Sequence, residues 1–463
     1  MKMTMTTTTT NTSSPNEHEL RARFDAAGQG HVFQYWDDLT LEERTALLHQ
    51  LMSFDVEPLS GFLNAARQTE STTTGTDAII APFSKTVAPS SDCDDAVGME
   101  AIHQGSVAAL VLAGGQGTRL GFDGPKGMYD IGLQSGKTLF QLLAERLVKL
   151  SPTIPLYVMT SPLNHEETMR FFEQNHNFGL NSVTCFPQGM LPCLFDDGTI
   201  IMESKSGVAM APDGNGGIYP ALVNSGMIQK MTHHGIQYLH VFSIDNALIK
   251  PADPIFIGYC ISQQADCGNK VVWKAHAHEK VGVLAERNGH SCIVEYSEIT
   301  KEMAERTDSQ GRLEFGAANI CNHFYTLDFI QNVIVPTMGH MYHIARKKIP
   351  YFNGHSTVSP TSENGLKLES FIFDVFPMSK SMAVMDVERS EEFAPVKNAT
   401  GPDSPETACA MMTARSKAWV IKAGGQFSQS DEGDVEISPL TSYSGNDLGP
   451  LVQGKVFQYP LLL

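Results

Sequence analysis

Apolar positions change their spacing along the 463-residue chain. Between 17 and 55, Leu20, Phe24 and Ala27, then Leu41, Leu47, Leu48 and Leu51, recur at helical intervals and predict two amphipathic helices. Thr40 followed by Glu43 predicts a capping box for the second. Residues 71–95, rich in Ser, Thr, Pro and Asp, read as a long loop. From residue 106 onward, short β-rich runs at 107–112, 156–159, 183–186, 238–244, 271–274, 292–296 and 371–375 predict strands. Between them, 138–150, 166–174, 221–231 and 327–347 predict helices, the second capped by Asn164 with Glu167 behind it. This alternation predicts an α/β fold, Rossmann-like, with a mainly parallel central sheet wrapped by helices. Ligands in such sheets sit beyond the carboxyl ends of the strands. One more helix, 405–422, is stopped by Gly424 and Gly425, and short strand signals follow it. The expected division is a disordered tail over 1–16, an N-terminal helical region over 17–100, the main α/β domain over 101–400 and a small C-terminal α+β domain over 401–463.

Charge and composition narrow the classes. With 33 basic and 51 acidic residues the net charge is −18, and no basic stripe offers the phosphate neutralisation that nucleic-acid binding requires. The longest apolar stretch, 107–113, is far short of the roughly 20 residues of a membrane span. Eight cysteines without a CxxC pair suit free thiols in a reducing compartment. The Thr/Ser-rich start has no apolar signal core and no arginines of a transit peptide, so the expected location is cytoplasmic.

The segment Leu112-Ala113-Gly114-Gly115-Gln116-Gly117-Thr118-Arg119-Leu120-Gly121 follows the first apolar run and precedes Gly124-Pro125-Lys126-Gly127. Glycines at 114, 115 and 117 remove Cβ atoms where a strand enters a loop, so backbone N–H groups can approach phosphate oxygens. Arg119 and Lys126 add two cations. A dinucleotide fingerprint is excluded because position 120 is Leu rather than Gly. The run Gly132-Leu-Gln-Ser-Gly136-Lys137-Thr138 has three residues between its glycines where a Walker A loop has four.

LAGGQGTRLG followed by PKG resembles the signature loop of nucleotidyltransferases that join a sugar 1-phosphate to a nucleoside triphosphate. From about residue 19 onward the chain is similar to the eukaryotic UDP-N-acetylglucosamine (UDP-N-acetylhexosamine) pyrophosphorylases. PKGMYDIGL (125–133), FPQGMLPCL (186–194), APDGNGGIY (211–219), HVFSIDN (240–246), VEYSEI (294–299), NICNHF (319–324), LKLESFIFDVF (366–376) and FAPVKNA (393–399) carry the likeness in order. Ala113, Gln116, Arg119 and Leu120 favour the N-acetylhexosamine branch over sister enzymes with a loop like LNGGLGTSMG.

The resemblance implies transfer of a uridylyl group from UTP to N-acetylglucosamine 1-phosphate, with Mg²⁺ (or Mn²⁺). It assigns Leu112, Ala113, Gly114, Gly115, Gln188, Gly214, Asp245 and Lys367 to the nucleotide, and Arg119, Lys126 and Lys397 to the catalytic charges. It assigns Asn215, Glu295, Tyr296, Asn319, Phe371 and Phe373 to the sugar, the two phenylalanines alternating on a strand, and Asp245 also to the metal. Asp374 is considered as a second metal ligand and not carried further. Taken singly, Gln188, Asp245, Lys367 and Lys397 read as a loop amide, a turn cap and two solvated lysines. Two other functions are weighed: a broader UDP-sugar pyrophosphorylase acting on glucose or galactose 1-phosphate, and a non-catalytic nucleotide-sugar sensor. The expected partners are the two substrates, with no nucleic acid and no membrane; oligomeric state is not legible.

Overall fold

The structure is a computed structural model that describes residues 17–73, 79–84, 92–428 and 433–463, so the expected tail over 1–16 lies outside the described residues. The chain forms two compact units. Of the described residues, one unit holds 17–72, 189–214 and 339–370, and the other holds 73, 79–84, 92–188, 215–338, 371–428 and 433–463.

The larger unit is built on a ten-stranded sheet among the described residues. Its strands are β1 (Ile80–Pro82), β2 (Val107–Leu112), β3 (Leu156–Thr160), β4 (Val183–Pro187) and β5 (Tyr238–Ser243). They continue with β6 (Cys267–Trp273), β7 (Val283–Arg287), β8 (His290–Val294), β9 (Ala317–Thr326) and β10 (Met382–Asp386). The order runs β1-β7-β9-β5-β2-β3-β4, with β6 beside β9 and β10, and β8 beside β7. As the alternating pattern predicts, β5, β2, β3 and β4 are parallel, and β6 pairs parallel with β10. Beyond β5 the remaining pairings are antiparallel. Every residue of β2 and β3 is buried, which is why both read as unbroken apolar runs.

Several predicted boundaries change. Asp92–His103 is a helix and β1 is a strand, both inside the expected 71–95 loop or at its edge. The predicted 221–231 helix is two, Ile218–Asn224 and Met227–His233, separated by Gly226 at φ +68°. The predicted 327–347 helix breaks into short turns around Pro336 and ends as a strand, His343–Lys347, because Pro has no N–H to donate and Gly365–Glu369 offers a pairing edge. Residues 371–375 are no strand: Ile372–Met378 is a helical turn, held by the Asp374 carboxylate accepting from the Phe371 N–H at 2.7 Å.

In the smaller unit, helices Glu17–Ala26, Leu41–Met52 and Leu59–Thr73 enclose a core with four short two-stranded ladders. Thr40 and Glu43 form the predicted capping box. Leu20, Phe24, Leu47 and Leu51 bury against Leu194, Val208, Leu366 and Leu368. The helices thus belong with two distant insertions rather than with a separate 17–100 region, since their apolar faces need those strands for burial. At the other end, Pro405–Lys422 contributes Ala408 and Met412 to the main core, while Trp419, Val420, Val435, Leu448 and Leu461 form a small core of their own.

Helix Asp92–His103 packs on helix Pro254–Ser262 through Gly98, where a Cβ would stand 1.9 Å from the Pro254 carbonyl oxygen. Gly98→Ala must therefore push the two backbones apart, and is expected to lower stability by about 1–3 kcal/mol in denaturant titration.

Candidate active site

The register of the parallel strands sets the site. Leu112 at the end of β2 lies beside Ser243 at the end of β5 and Met159 near the end of β3, and Thr160 lies beside Pro187 at the end of β4. The loop 113–117, Asp245, Asn164 and Gln188 therefore all emerge at the carboxyl ends of neighbouring strands. Antiparallel β9 brings Asn319 and Cys321 to the same end, because Asn322 opposes Phe242 and the chain before it runs past the end of β5.

The glycine loop folds back on itself. The Gly117 N–H donates to Gly124 O at 2.8 Å and the Lys126 N–H to Gly115 O at 3.1 Å, so the Pro-Lys-Gly segment returns to the cradle. A Cβ on Gly114 would stand 2.6 Å from Gln188 Oε1, which brings that buried amide against the loop. Among the described residues, nothing lies within 4 Å of a Cβ on Gly115. Asn164, expected as a helix cap, makes no side-chain cap. Its Nδ2 donates to Ala113 O at 3.0 Å and Gly115 O at 3.4 Å, and its Oδ1 accepts from the Ser161 N–H at 2.8 Å. The excluded Walker-like run is accounted for locally: Lys137 Nζ is paired with Glu145 at 2.6 Å, and Thr138 caps the following helix.

The structure brings Arg119, Lys126, Lys397 and Asp245 together. The half-buried Lys126 ammonium is held below its ordinary range by burial, with Asp245 opposing the shift and the Arg119 and Lys397 cations adding to it. Its Nζ donates to Val396 O at 3.3 Å, and the Val396 N–H donates to Asp245 O at 2.8 Å. Cys321 stands next to the same charges: burial, then Asp245, pushes its thiol up to about 12, with Lys397 opposing. It occupies a bulge in which three residues of β9, 320–322, oppose Lys270 alone, and takes φ +52°. Bulges of this kind re-aim side chains beside functional sites.

Asn215 Oδ1 accepts from the Ile372 N–H at 3.0 Å, joining the Asp-Gly-Asn-Gly segment to the turn that carries Phe371 and Phe373. Those two rings are stacked, 5.1 Å apart at 16°, as residues on a tight turn rather than on the expected strand. Tyr219 and Tyr325 hydroxyls both donate to Ile372 O, at 2.6 and 3.2 Å, and fix the turn from below. Asn319 is half-buried, with its N–H on Gly282 O at 2.9 Å. Glu295 and the exposed Tyr296 follow β8 rather than continuing it, and a Cβ on Gly282 would stand 2.9 Å from Glu295 Oε1. The other two predicted residues, Gly214 and Lys367, belong to the smaller unit. There Gly214, at φ +89°, has no room for a Cβ against Ser370 O, and Lys367 lies on Gly365–Glu369 between the buried Leu366 and Leu368.

Residues 60–446 match the family model for UTP–glucose-1-phosphate uridylyltransferase. The chain belongs to this family. It is 42% identical to the UDP-N-acetylhexosamine pyrophosphorylase-like protein 1 of Xenopus tropicalis, over 96% of both chains. It is 41% identical to the UDP-N-acetylglucosamine diphosphorylase 2 of Arabidopsis thaliana, over 95% of this chain and 93% of that one. Its fold matches the crystal structure of the Trypanosoma brucei uridine diphosphate N-acetylglucosamine pyrophosphorylase in complex with inhibitor, with TM-score 0.83 and 31% identity over 96% of this chain and 95% of that one.

Within this member of the uridylyltransferase family, sequence reading missed Asn164, whose only signal is an amide just before a helix, and Asp213, which looks like a loop carboxylate. Asp213 is buried in the smaller unit, and its Oδ1 has no hydrogen-bond partner among the described residues. Burial pushes it up to about 7. Tyr342, held up to about 12 by burial and then by Asp213, shares that environment. The native state keeps a proton here that the unfolded chain, with a carboxyl near its ordinary value of about 3.9, releases. Stability is therefore lost as pH rises from about 4 to about 7. Asp213→Asn is expected to unfold like wild type at pH 4 and to be more stable by roughly 1–3 kcal/mol above pH 7, in urea titrations at both pH values.

Proposed function

We propose that this chain makes UDP-N-acetylglucosamine and pyrophosphate from UTP and N-acetylglucosamine 1-phosphate. One observation carries the reading: three cations and a carboxylate, Arg119, Lys126, Lys397 and Asp245, meet beside a glycine cradle at the carboxyl ends of parallel strands. The relatives' names supply the sugar and the nucleotide.

In this reading an oxygen of the sugar phosphate attacks the α-phosphorus of UTP in line. The new O–P bond forms as the bond to the β-phosphate oxygen breaks, and pyrophosphate leaves with the electron pair. No proton has to move, so the protein contributes position and charge. The open face of Gly115 lets a nucleotide approach backbone N–H groups, and Gln188 offers the uracil edge one donor and one acceptor. Lys126, partly withdrawn from water, acts on developing phosphate charge with less screening. Asn215, Phe371, Phe373, Glu295, Tyr296 and Asn319 are the proposed sugar-facing set.

Among the described residues, no three His, Cys, Asp or Glu side chains converge as metal ligands. One carboxylate, with substrate oxygens and water for the remaining positions, suits Mg²⁺ or Mn²⁺, and Asp245 would hold it. When bound, such an ion supplies Lewis-acid charge neutralisation at the phosphates. No helix among the described residues is long and apolar enough to cross a membrane, and the thiols at 185, 193, 260, 267, 292, 321 and 409 are not joined in disulfides, which supports a reducing, cytoplasmic setting.

Pyrophosphate release is the test, with UTP and a panel of sugar 1-phosphates. N-acetylglucosamine 1-phosphate is expected to give the highest kcat/KM, and preference for glucose or galactose 1-phosphate, or no release with any sugar, overturns the reading. In the same assay Asp245→Asn is expected to lose most turnover, by roughly 100-fold or more, and to need more Mg²⁺. Superimposable Mg²⁺ titrations of wild type and variant would remove Asp245 from the site.

A further inference from the structure

Asn246, beside Asp245, is 3% exposed, and both ends of its amide are used. Its Oδ1 accepts from the Leu248 N–H at 3.1 Å, an Asx turn closing the segment after β5. The same oxygen accepts from the Ala394 N–H at 2.9 Å, and Nδ2 donates to Glu392 O at 2.6 Å. One side chain thus grips the segment 392–397 at two points and its own loop at a third.

That segment bears the reacting charges. Val396 accepts from Lys126 Nζ and donates its N–H to Asp245 O, and Lys397 follows it. The grip is braced from behind. Glu392 and Asp253 both pair with the fully buried Lys270 at 2.5 Å, and Arg415 Nη1 donates to Leu248 O at 3.3 Å and to Glu391 O at 3.0 Å. Backbone pairing supplies the rest of the join, through the Val396 N–H on Asp245 O at 2.8 Å and the Ala247 N–H on Ala394 O at 3.0 Å, the two bonds that flank the Asn246–Pro395 bridge.

We infer that Asn246 is a positioning residue for uridylyl transfer: its amide sets the strap 393–397 against Asp245, so that Lys397 and Lys126 are aimed at the same phosphates. The inference rests on the proposed reaction. A strap held at the wrong distance still leaves the nucleotide cradle, 113–117 with Gln188, intact. The loss should therefore appear in kcat rather than in UTP binding.

Asn246→Ala and Asn246→Asp separate the possibilities. Asn246→Ala is expected to lower kcat roughly 100-fold, the cost of about 1 Å of misplacement. The KM for UTP should stay within about threefold, as for an interaction made in the transition state. Asn246→Asp keeps both accepting positions but sets a carboxylate oxygen against Glu392 O where the donated bond was, so a loss no smaller than that of Asn246→Ala is expected. Hydrogen exchange on the unliganded proteins should show faster exchange at the Ala394 and Val396 amides in Asn246→Ala, with the 113–117 loop unchanged. If Asn246→Ala does not fold, the kcat and exchange comparisons are read on Asn246→Asp. Wild-type kcat in the folded variant, a loss confined to KM for UTP, or unchanged strap exchange would each overturn the inference while leaving the proposed reaction standing. A wild-type protein that releases no pyrophosphate overturns both.

Discussion

The site depends on hydrogen bonds to main-chain groups that join separate segments of the chain. Gly115 is tied to Lys126, Lys126 to Val396, and Val396 to Asp245. None of these links is a salt bridge. Each satisfies a carbonyl at the end of a strand or in a loop, where the chain has run out of sheet partners, with a main-chain N–H or, at Val396, with the Lys126 ammonium. The parallel side of the sheet delivers those loose ends to the carboxyl ends of its strands, and the loops satisfy one another there. This explains how three cations come to lie beside one another, and burial, with the Arg119 and Lys397 charges adding to it, holds the Lys126 ammonium below its ordinary range.

Behind those strand ends the fold holds a second constraint, the buried Lys270 with Asp253 and Glu392. Burial opposes the Lys270 charge, and the two carboxylates more than offset it, so the ammonium is held above its ordinary range. Such a cluster contributes little net stability over apolar packing, but removing one partner leaves a buried charge unpaired and costs several kcal/mol, about 3–5. Its three members come from β6, a helix N-cap and the start of the strap. Their pairing therefore fixes where the strap begins as well as how the sheet is covered. The β9 bulge sits opposite the same Lys270, so the strand that carries Asn319 bends where the buried charge lies.

The smaller unit shows a different economy. Its N-terminal helices are too short and too one-sided to bury their own apolar faces, and two insertions, 189–214 and 339–370, supply the missing strands. Asp213 lies in the first of them with an oxygen that has no hydrogen-bond partner among the described residues, a polar group kept where apolar packing would be cheaper.

The helices at 17–55, the buried strands β2 and β3, the Thr40 cap and the glycine cradle were all legible from sequence, because each follows from neighbours within a few residues: apolar period, capping chemistry or missing Cβ atoms. The likeness of ordered motifs extended that to the family and to the candidate residues. Tertiary structure alone decided the rest. Phe371 and Phe373 sit on a turn because Asp374 satisfies a local N–H and two tyrosines from other elements hold Ile372 O. His343–Lys347 is a strand because its partner lies some twenty residues on. Asn164 and Asn246 look like a helix cap and a turn amide, yet their bonds go to carbonyls and N–H groups as far as 51 and 148 residues away. Periodicity and capping report what a residue does to its own segment. A side chain that joins segments has no local signature, since its partners are chosen by where the sheet brings the chain ends together.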